Sequence, residues 1–177
     1  MTREPEEVVL LDDMWNEVGV CEKLEAHRKG LRHKAVSVFV KNHANQLLMQ
    51  KRAEGKYHSP GLWSNACCTH QRRGEDAEAA ARRRLREEMG FACALVAHGR
   101  HAYCKPVGGD LIENEVVDLF FGTYGGEVAP DPNEVSNFCW IAVPELKRDL
   151  ERRPERYSAW LRDYFRSFGD AIEVWAA

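Results

Sequence analysis

The stretch LIENEVVDLFFGTY, Leu111–Tyr124, constrains the fold of this chain more than any other. Its Val, Leu and Phe content reads as a strand. In a strand, residues two apart share a face. One face carries Glu113, Glu115, Val117, Leu119 and Phe121, and the other carries Asn114, Val116, Asp118 and Phe120. Two carboxylates therefore head the more apolar face. Charge aimed at a core is costly unless it is paired or holds a metal. The sequence just before it, Cys93–Cys104, can pair with this strand across KPVGGD.

A chain of 177 residues, 44% hydrophobic and 30% charged, has the size and composition of one folded domain with a real core, spanning 1–177. The longest apolar runs, such as Ala35–Val40, are too short to span a membrane. The start, MTREPEEVVLLDD, is acidic and lacks the basic and apolar regions of a signal peptide. A cytoplasmic location with no membrane partner is expected. Net charge is −3, so no nucleic-acid partner is expected, and an anionic ligand must be held by a local basic cluster. The six cysteines form no CxxC pair and read as reduced thiols.

Elements follow from pattern. Glu7–Leu11, His33–Lys41, Gln46–Lys51 and Val135–Ile141 read as strands, with a shorter one at Ala66–Gln71. Cys21–Gly30 reads as a turn leading into a short helical stretch, and Arg52–Asn65 as a loop with Gly55, Pro60 and Gly61. Asp76–Met89 is the clearest helix, alanine-rich, acidic at its start and stopped by Gly90. Pro144–Arg152 and Pro154–Phe168 read as helices with proline near the start. The expected class is α/β (α+β), with strands in the majority.

RRLREEMGF, Arg83–Phe91, resembles the pattern REUxEExGU of the Nudix box, in which U is a bulky aliphatic residue. Arg83, Leu85, Glu87, Glu88 and Gly90 match, Phe91 matches loosely, and Glu75 stands where an upstream glutamate belongs. Arg84 departs: a hydrolase of that family has a metal-binding glutamate there. Ala77, Ala81, Arg84 and Glu88 share a stripe of the helix, which is expected to pack inward or line a pocket.

Further segments add EKLEAHRKGLRH, with Lys23, His27 and His33, and QKRAEGKYHSPGLWSNACCTHQ, with Arg52, Lys56, Cys68 and His70. HAYCK contributes Tyr103 and YSAWLRDYF contributes Trp160. With Glu113 and Glu115, these resemble type I isopentenyl-diphosphate isomerase, a Nudix-fold enzyme that is not a hydrolase. The resemblance runs from about Val8 to Tyr164. It implies the Nudix fold, with mixed β-sheets sandwiched between helices.

The resemblance also implies a site. His27, His33, His70, Glu113 and Glu115 would surround one Mn²⁺, Mg²⁺ or Zn²⁺ ion, a donor set of the right chemical kind. Glu88, with the substrate diphosphate and the Cys68 backbone carbonyl, would hold Mg²⁺. Lys23, Arg52, Lys56 and Arg84 would bind the diphosphate. Moving a double bond in isopentenyl diphosphate needs an acid, a base, stabilisation of a tertiary carbocation and exclusion of water. Glu115 with Tyr103 would protonate, Cys68 would deprotonate, and Trp160 would face the cation. Sequence alone leaves the direction of proton transfer open. No redox cofactor is needed, and there is no glycine-rich flavin site. The substrate is a small molecule and the chain is expected as a monomer or weak homodimer. Two rival readings are a Nudix pyrophosphohydrolase and a non-catalytic diphosphate-binding Nudix domain.

Overall fold

The structure is a computed structural model and describes residues 6–177. The first five residues of the acidic start lie outside the described residues.

The sheet is organised around β3 (His33–Lys41), whose Val-rich sequence is buried on both faces. It pairs in parallel with β8 (Leu111–Thr123), from His33 opposite Glu115 to Lys41 opposite Thr123. It pairs antiparallel with β6 (Cys67–Thr69), where Ser37 faces Cys68, and it meets β1 (Glu7–Leu11) and β4 (Gln46–Arg52). β1 continues to β2 (Glu17–Glu22), while β4 pairs antiparallel with β5 (Trp63–Asn65) and β9 (Val135–Ala142). β7 (Leu95–Gly108) forms the long hairpin with β8, placing Tyr103 opposite Glu115.

Period-two alternation divides the core. Ala35, Phe39, Val117, Leu119 and Phe121 face α3 (Val143–Arg152) and α4 (Ala159–Ala176), in one cluster with Leu146, Leu161 and Tyr164. Val36, Val38, Val40 and Phe120 face α2 (Ala77–Met89) through Ala80, Ala81, Leu85 and Met89. This is a mixed sheet between helices. No helix among the described residues is long and apolar enough to cross a membrane.

Two helix ends set the positions of site residues. α1 (Lys23–Lys29) begins at Glu22, whose carboxylate accepts from the backbone N–H of Leu24 and Glu25, and ends at Gly30 in the left-handed conformation. α2 is capped by Asp76 and ends at Gly90, also left-handed, where a Cβ would run into the Ala129 carbonyl oxygen.

Several boundaries differ from the sequence reading. β2 is absent from the sequence reading: its Val18–Val20 alternation is short and interrupted by Gly19, its first half is exposed, and pairing with β1 fixes it as a strand. The expected loop 52–65 ends in β5, a strand of three residues fixed by pairing with β4. β7 continues through Pro106 at a register shift, so the turn is only Gly109–Asp110. The expected helix 154–168 divides. Pro154–Arg156 is a single 3₁₀ turn, Tyr157 is extended, and Ser158 caps α4. α4 then continues past Gly169 to Ala176, because Ile172 and Ala176 pack into the core.

Candidate active site

Four buried donors converge where α1, β3, β6 and β8 meet. Donor atoms of His27, His33, His70 and Glu115 all lie within 4.8 Å of one another. The Nδ1 of His27 donates to the Lys23 carbonyl and that of His33 to the Leu31 carbonyl, each at 2.7 Å. Anchored in this way, each ring turns an Nε2 lone pair toward the cluster. The His27 Nε2 is buried without a hydrogen-bond partner. The His33 and His70 Nε2 atoms are 3.2 Å apart, and Glu115 Oε1 lies 2.9 Å from that of His70. Converging lone pairs beside a carboxylate fit a divalent cation.

Burial disfavours charge on these groups. It pushes His27 down to about 4, helped by the nearby His70 and His33. Burial also works against the Glu115 carboxylate, but hydrogen bonds from His33 and His70 outweigh it and hold the group well below the usual carboxylate range. Glu113 goes the other way, held high by burial and by the charge of Glu115.

Glu113 does not join the four-donor group. Its carboxyl lies 3.1 Å from Tyr103 Oη and 3.2 Å from His58 Nε2, within a second donor group of His27, His58 and Glu113. The sequence reading had left His58 out. It is buried, stacks against His27 at 5.9 Å and meets the Trp160 ring edge-on at 5.6 Å. A histidine in a Pro-Gly loop gives no sequence signal for this, since tertiary packing alone brings the loop inside.

The proton-carrying groups face the same cavity. Tyr103 Oη donates to Glu115 Oε2 at 2.5 Å, and burial with two nearby carboxylates keeps the phenol protonated. Cys68 Sγ lies 3.2 Å from both Ser37 Oγ and Asn65 Oδ1. Burial pushes its thiol up to about 12, and the Ser37 hydrogen bond offsets only part of this. Asn65 is itself fixed by donating to Ser37 Oγ and the Val38 carbonyl, each at 2.9 Å. Cys67 points into the α2 side of the core. Trp160 is 1% exposed, donates from Nε1 to Ser64 Oγ at 2.7 Å and has the Arg52 guanidinium 5.1 Å from its ring centre. Ser37, Ser64 and Asn65 were not singled out in the sequence, because small polar residues declare a role only through their partners.

Lys23, Arg52, Lys56, Arg84 and Glu88 line this cavity with Cys68, His70, Tyr103, Glu113, Glu115 and Trp160. The cations are paired in this state. Lys23 meets Glu6 and Lys56 meets Glu134, each at 2.5 Å. Arg84 reaches Glu87, Glu88 and Glu134 at 2.7, 2.8 and 3.3 Å. Glu88 also accepts from Gln50 Nε2 at 3.0 Å. Arg52 donates to the His58 carbonyl at 3.0 Å. Even so, the Nε atoms of Arg52 and Arg84 are buried with no partner. The remaining histidines lie elsewhere: His101 bonds Asp163 at 2.8 Å, and His98 stacks on Phe121. Asp118 pairs with Arg100 at 2.8 Å, outside the site.

A family model described as the NUDIX domain matches residues 31–163. Isopentenyl-diphosphate Delta-isomerase 1 of Aromatoleum aromaticum is 47% identical over 156 residues, covering 88% of each chain. The isopentenyl-diphosphate Delta-isomerase of Cereibacter sphaeroides is 51% identical over 146 residues, covering 81% of this chain and 82% of its own. Among solved structures, the DR0079 protein of Deinococcus radiodurans superposes with a TM-score of 0.75 at 17% identity, covering 92% of this chain and 98% of the other. At that identity it shares the fold alone. Relatives near half identity across most of the length, on a Nudix fold, establish that the chain belongs to the isopentenyl-diphosphate Delta-isomerases.

Proposed function

We propose that this chain interconverts isopentenyl diphosphate and dimethylallyl diphosphate by adding a proton at one carbon and removing one from another, through a tertiary carbocation. The observation that carries this reading is a set of unpartnered buried atoms, two of them lining one cavity and the third in the donor cluster that meets this cavity through His70 and Glu115. His27 Nε2 is a lone pair suited to a cation, and Arg52 Nε and Arg84 Nε are N–H groups suited to phosphate oxygens.

In this reading His27, His33, His70, Glu113 and Glu115 would hold a divalent ion, Mn²⁺, Mg²⁺ or Zn²⁺. The bound ion would supply charge neutralisation and lower the cost of burying two carboxylates. Glu88 would hold Mg²⁺ against the diphosphate, which Lys23, Arg52, Lys56 and Arg84 bind. Free volume in the cavity is about 40 Å³, so substrate entry requires the Lys23–Glu6 and Lys56–Glu134 pairs to open.

Tyr103 and Glu115 deliver the proton to the terminal alkene carbon. The positive charge develops on the tertiary carbon, where the Trp160 ring faces it and the closed pocket excludes water. Cys68 then takes the proton from the allylic carbon. The state described above, a Cys68 thiol opposite an ionised Glu115, is what the forward reaction leaves behind and what the reverse reaction starts from. The enzyme works as one domain in the cytoplasm on a small-molecule substrate, as a monomer or weak homodimer.

The test is a Cys68→Ala variant assayed for conversion and for substrate binding. Turnover falls at least a thousandfold, as loss of an essential acid–base group requires, while binding of isopentenyl diphosphate is retained. Full turnover in that variant would contradict the mechanism.

A further inference from the structure

A second cavity lies apart from the candidate active site. It is a groove of about 670 Å³ between β4, β5, β9 and α3, a size typical of small-molecule pockets. The accessible apolar part of its floor is Trp63 and Ile141, both half-buried, lying over the buried Met49, Leu146 and Tyr157. Its rim carries Arg148, Arg152, Arg153 and Arg156 against only two acids, Glu145 and Asp149. Asp149 is already engaged: it accepts from Tyr157 Oη at 2.5 Å and pairs with Arg153 and Arg156. Among the described residues, no ion pair engages Arg148 or Arg152.

An apolar floor alone would fit any hydrocarbon, and a basic rim alone any anion. Their combination selects a molecule with both parts. Guanidinium forks match phosphate oxygens in planar pairs, and several of them around one mouth suit a group with several oxygens. We propose that this groove is a second ligand site, binding an amphipathic molecule with a phosphate or diphosphate head on the arginines and a hydrocarbon body on the floor.

The groove shares a wall with the active site. Tyr157 bridges to Trp63, and the Ser158 N–H donates to the Trp63 carbonyl at 2.9 Å. The neighbouring Ser64 accepts the Trp160 Nε1 hydrogen bond. A ligand lying on Trp63 and Tyr157 therefore presses on the backbone that fixes Trp160. Occupancy changes kcat rather than competing with substrate. This coupling, unlike the binding itself, rests on the function proposed above.

Equilibrium dialysis with farnesyl diphosphate, inorganic pyrophosphate and dodecanoate tests the site on the full chain, comparing the wild type with Arg148→Glu/Arg152→Glu. The wild type binds one more farnesyl diphosphate than the variant at the same free concentration. Affinity for the groove falls at least tenfold in the variant, and an Arg148→Ala/Arg152→Ala pair falls in the same direction. Pyrophosphate and dodecanoate each bind the groove at least tenfold more weakly than farnesyl diphosphate. Equal stoichiometry in wild type and both variants overturns the site. Equal binding by dodecanoate overturns the phosphate head, and equal binding by pyrophosphate overturns the hydrocarbon body. In the isomerase assay, farnesyl diphosphate lowers kcat of the wild type and not of the variants, whose basal activity is unchanged. Purely competitive inhibition, identical in all three, overturns the coupling. A wild type with no isomerase activity would remove the proposed function and leave the dialysis result standing.

Discussion

At the scale of single residues, Cys68 has the least ordinary environment in the site. Its thiol is pushed up to about 12, so in the ligand-free protein it stays protonated across the physiological range. Alkylation of Cys68 by iodoacetamide should therefore rise about tenfold per pH unit from pH 8 to 10, without levelling, because each unit multiplies the thiolate fraction tenfold. A plateau below pH 9 would show a thiolate that the surrounding burial does not allow. Mass spectrometry separates this site from the exposed Cys104. Cys68, Tyr103 and Glu115 could be singled out in the sequence through the family resemblance, and the structure brings them to one cavity. The partners that tune them could not be singled out in this way. Ser37 and Asn65 touch the thiol from positions 31 and 3 residues away, and such contacts are properties of register and packing. His58 gives no sequence signal for the same reason, and Glu113, expected as a fifth donor, lies in a second donor group with His27 and His58 and bonds Tyr103.

At the scale of elements, two attachments are testable. α2 brings Arg84 and Glu88 to the cavity wall, with Arg84 between Glu87, Glu88 and Glu134. Arg84→Glu would remove a phosphate partner and add a fourth carboxylate. KM for isopentenyl diphosphate should rise at least tenfold, about 1.4 kcal/mol of lost binding, and no orthophosphate or pyrophosphate should appear. Unchanged KM, or new phosphate release, would contradict the assigned role. α4 begins at Ser158, and the Trp160 indole is held by Ser64. Ser64→Ala leaves that N–H buried and unpaired, at a cost of about 1–3 kcal/mol in stability. It should also lower kcat more than KM, and urea unfolding with steady-state kinetics would read both. The helices with strong caps or periodic patterns, such as α2, were legible in the sequence. The segments missed were those whose structure depends on partners: β2 and β5 on their neighbours, and the far end of α4 on the core that holds Ile172 and Ala176.

At the scale of the whole molecule, the sheet spends stability on its site. β3 and β8 run parallel through the core, yet their ends deliver His33 and Glu115 into a cluster of buried polar groups. Removing metal with a chelator should lower Tm, and one equivalent of Mn²⁺, Zn²⁺ or Mg²⁺ should restore it, since a ligand that binds only the folded state stabilises it. An unchanged Tm would mean that the cluster holds no ion. The metal-free protein should also respond to acid. His27 is held down at about 4 when folded, against its ordinary 6.5 when unfolded. Between those values the unfolded chain binds the extra proton, so His27 makes the protein less stable as pH falls from 6.5 toward 4, by roughly 3 kcal/mol in all. Glu113, held high, works in the opposite sense. The comparison is therefore with His27→Gln, whose loss of stability between pH 7 and 4.5, read by urea unfolding, should be smaller than that of the wild type. Identical profiles would contradict the buried, neutral state of His27.

The central claim is that this Nudix site moves a proton and leaves the diphosphate intact. Incubating the metal-loaded protein with isopentenyl diphosphate and Mg²⁺ in D₂O, and following both proton and phosphorus NMR, tests it in one tube. The account predicts that the terminal alkene signal gives way to that of dimethylallyl diphosphate, with deuterium in the new methyl group and no free phosphate or pyrophosphate. An unchanged alkene signal with growing phosphate would contradict it.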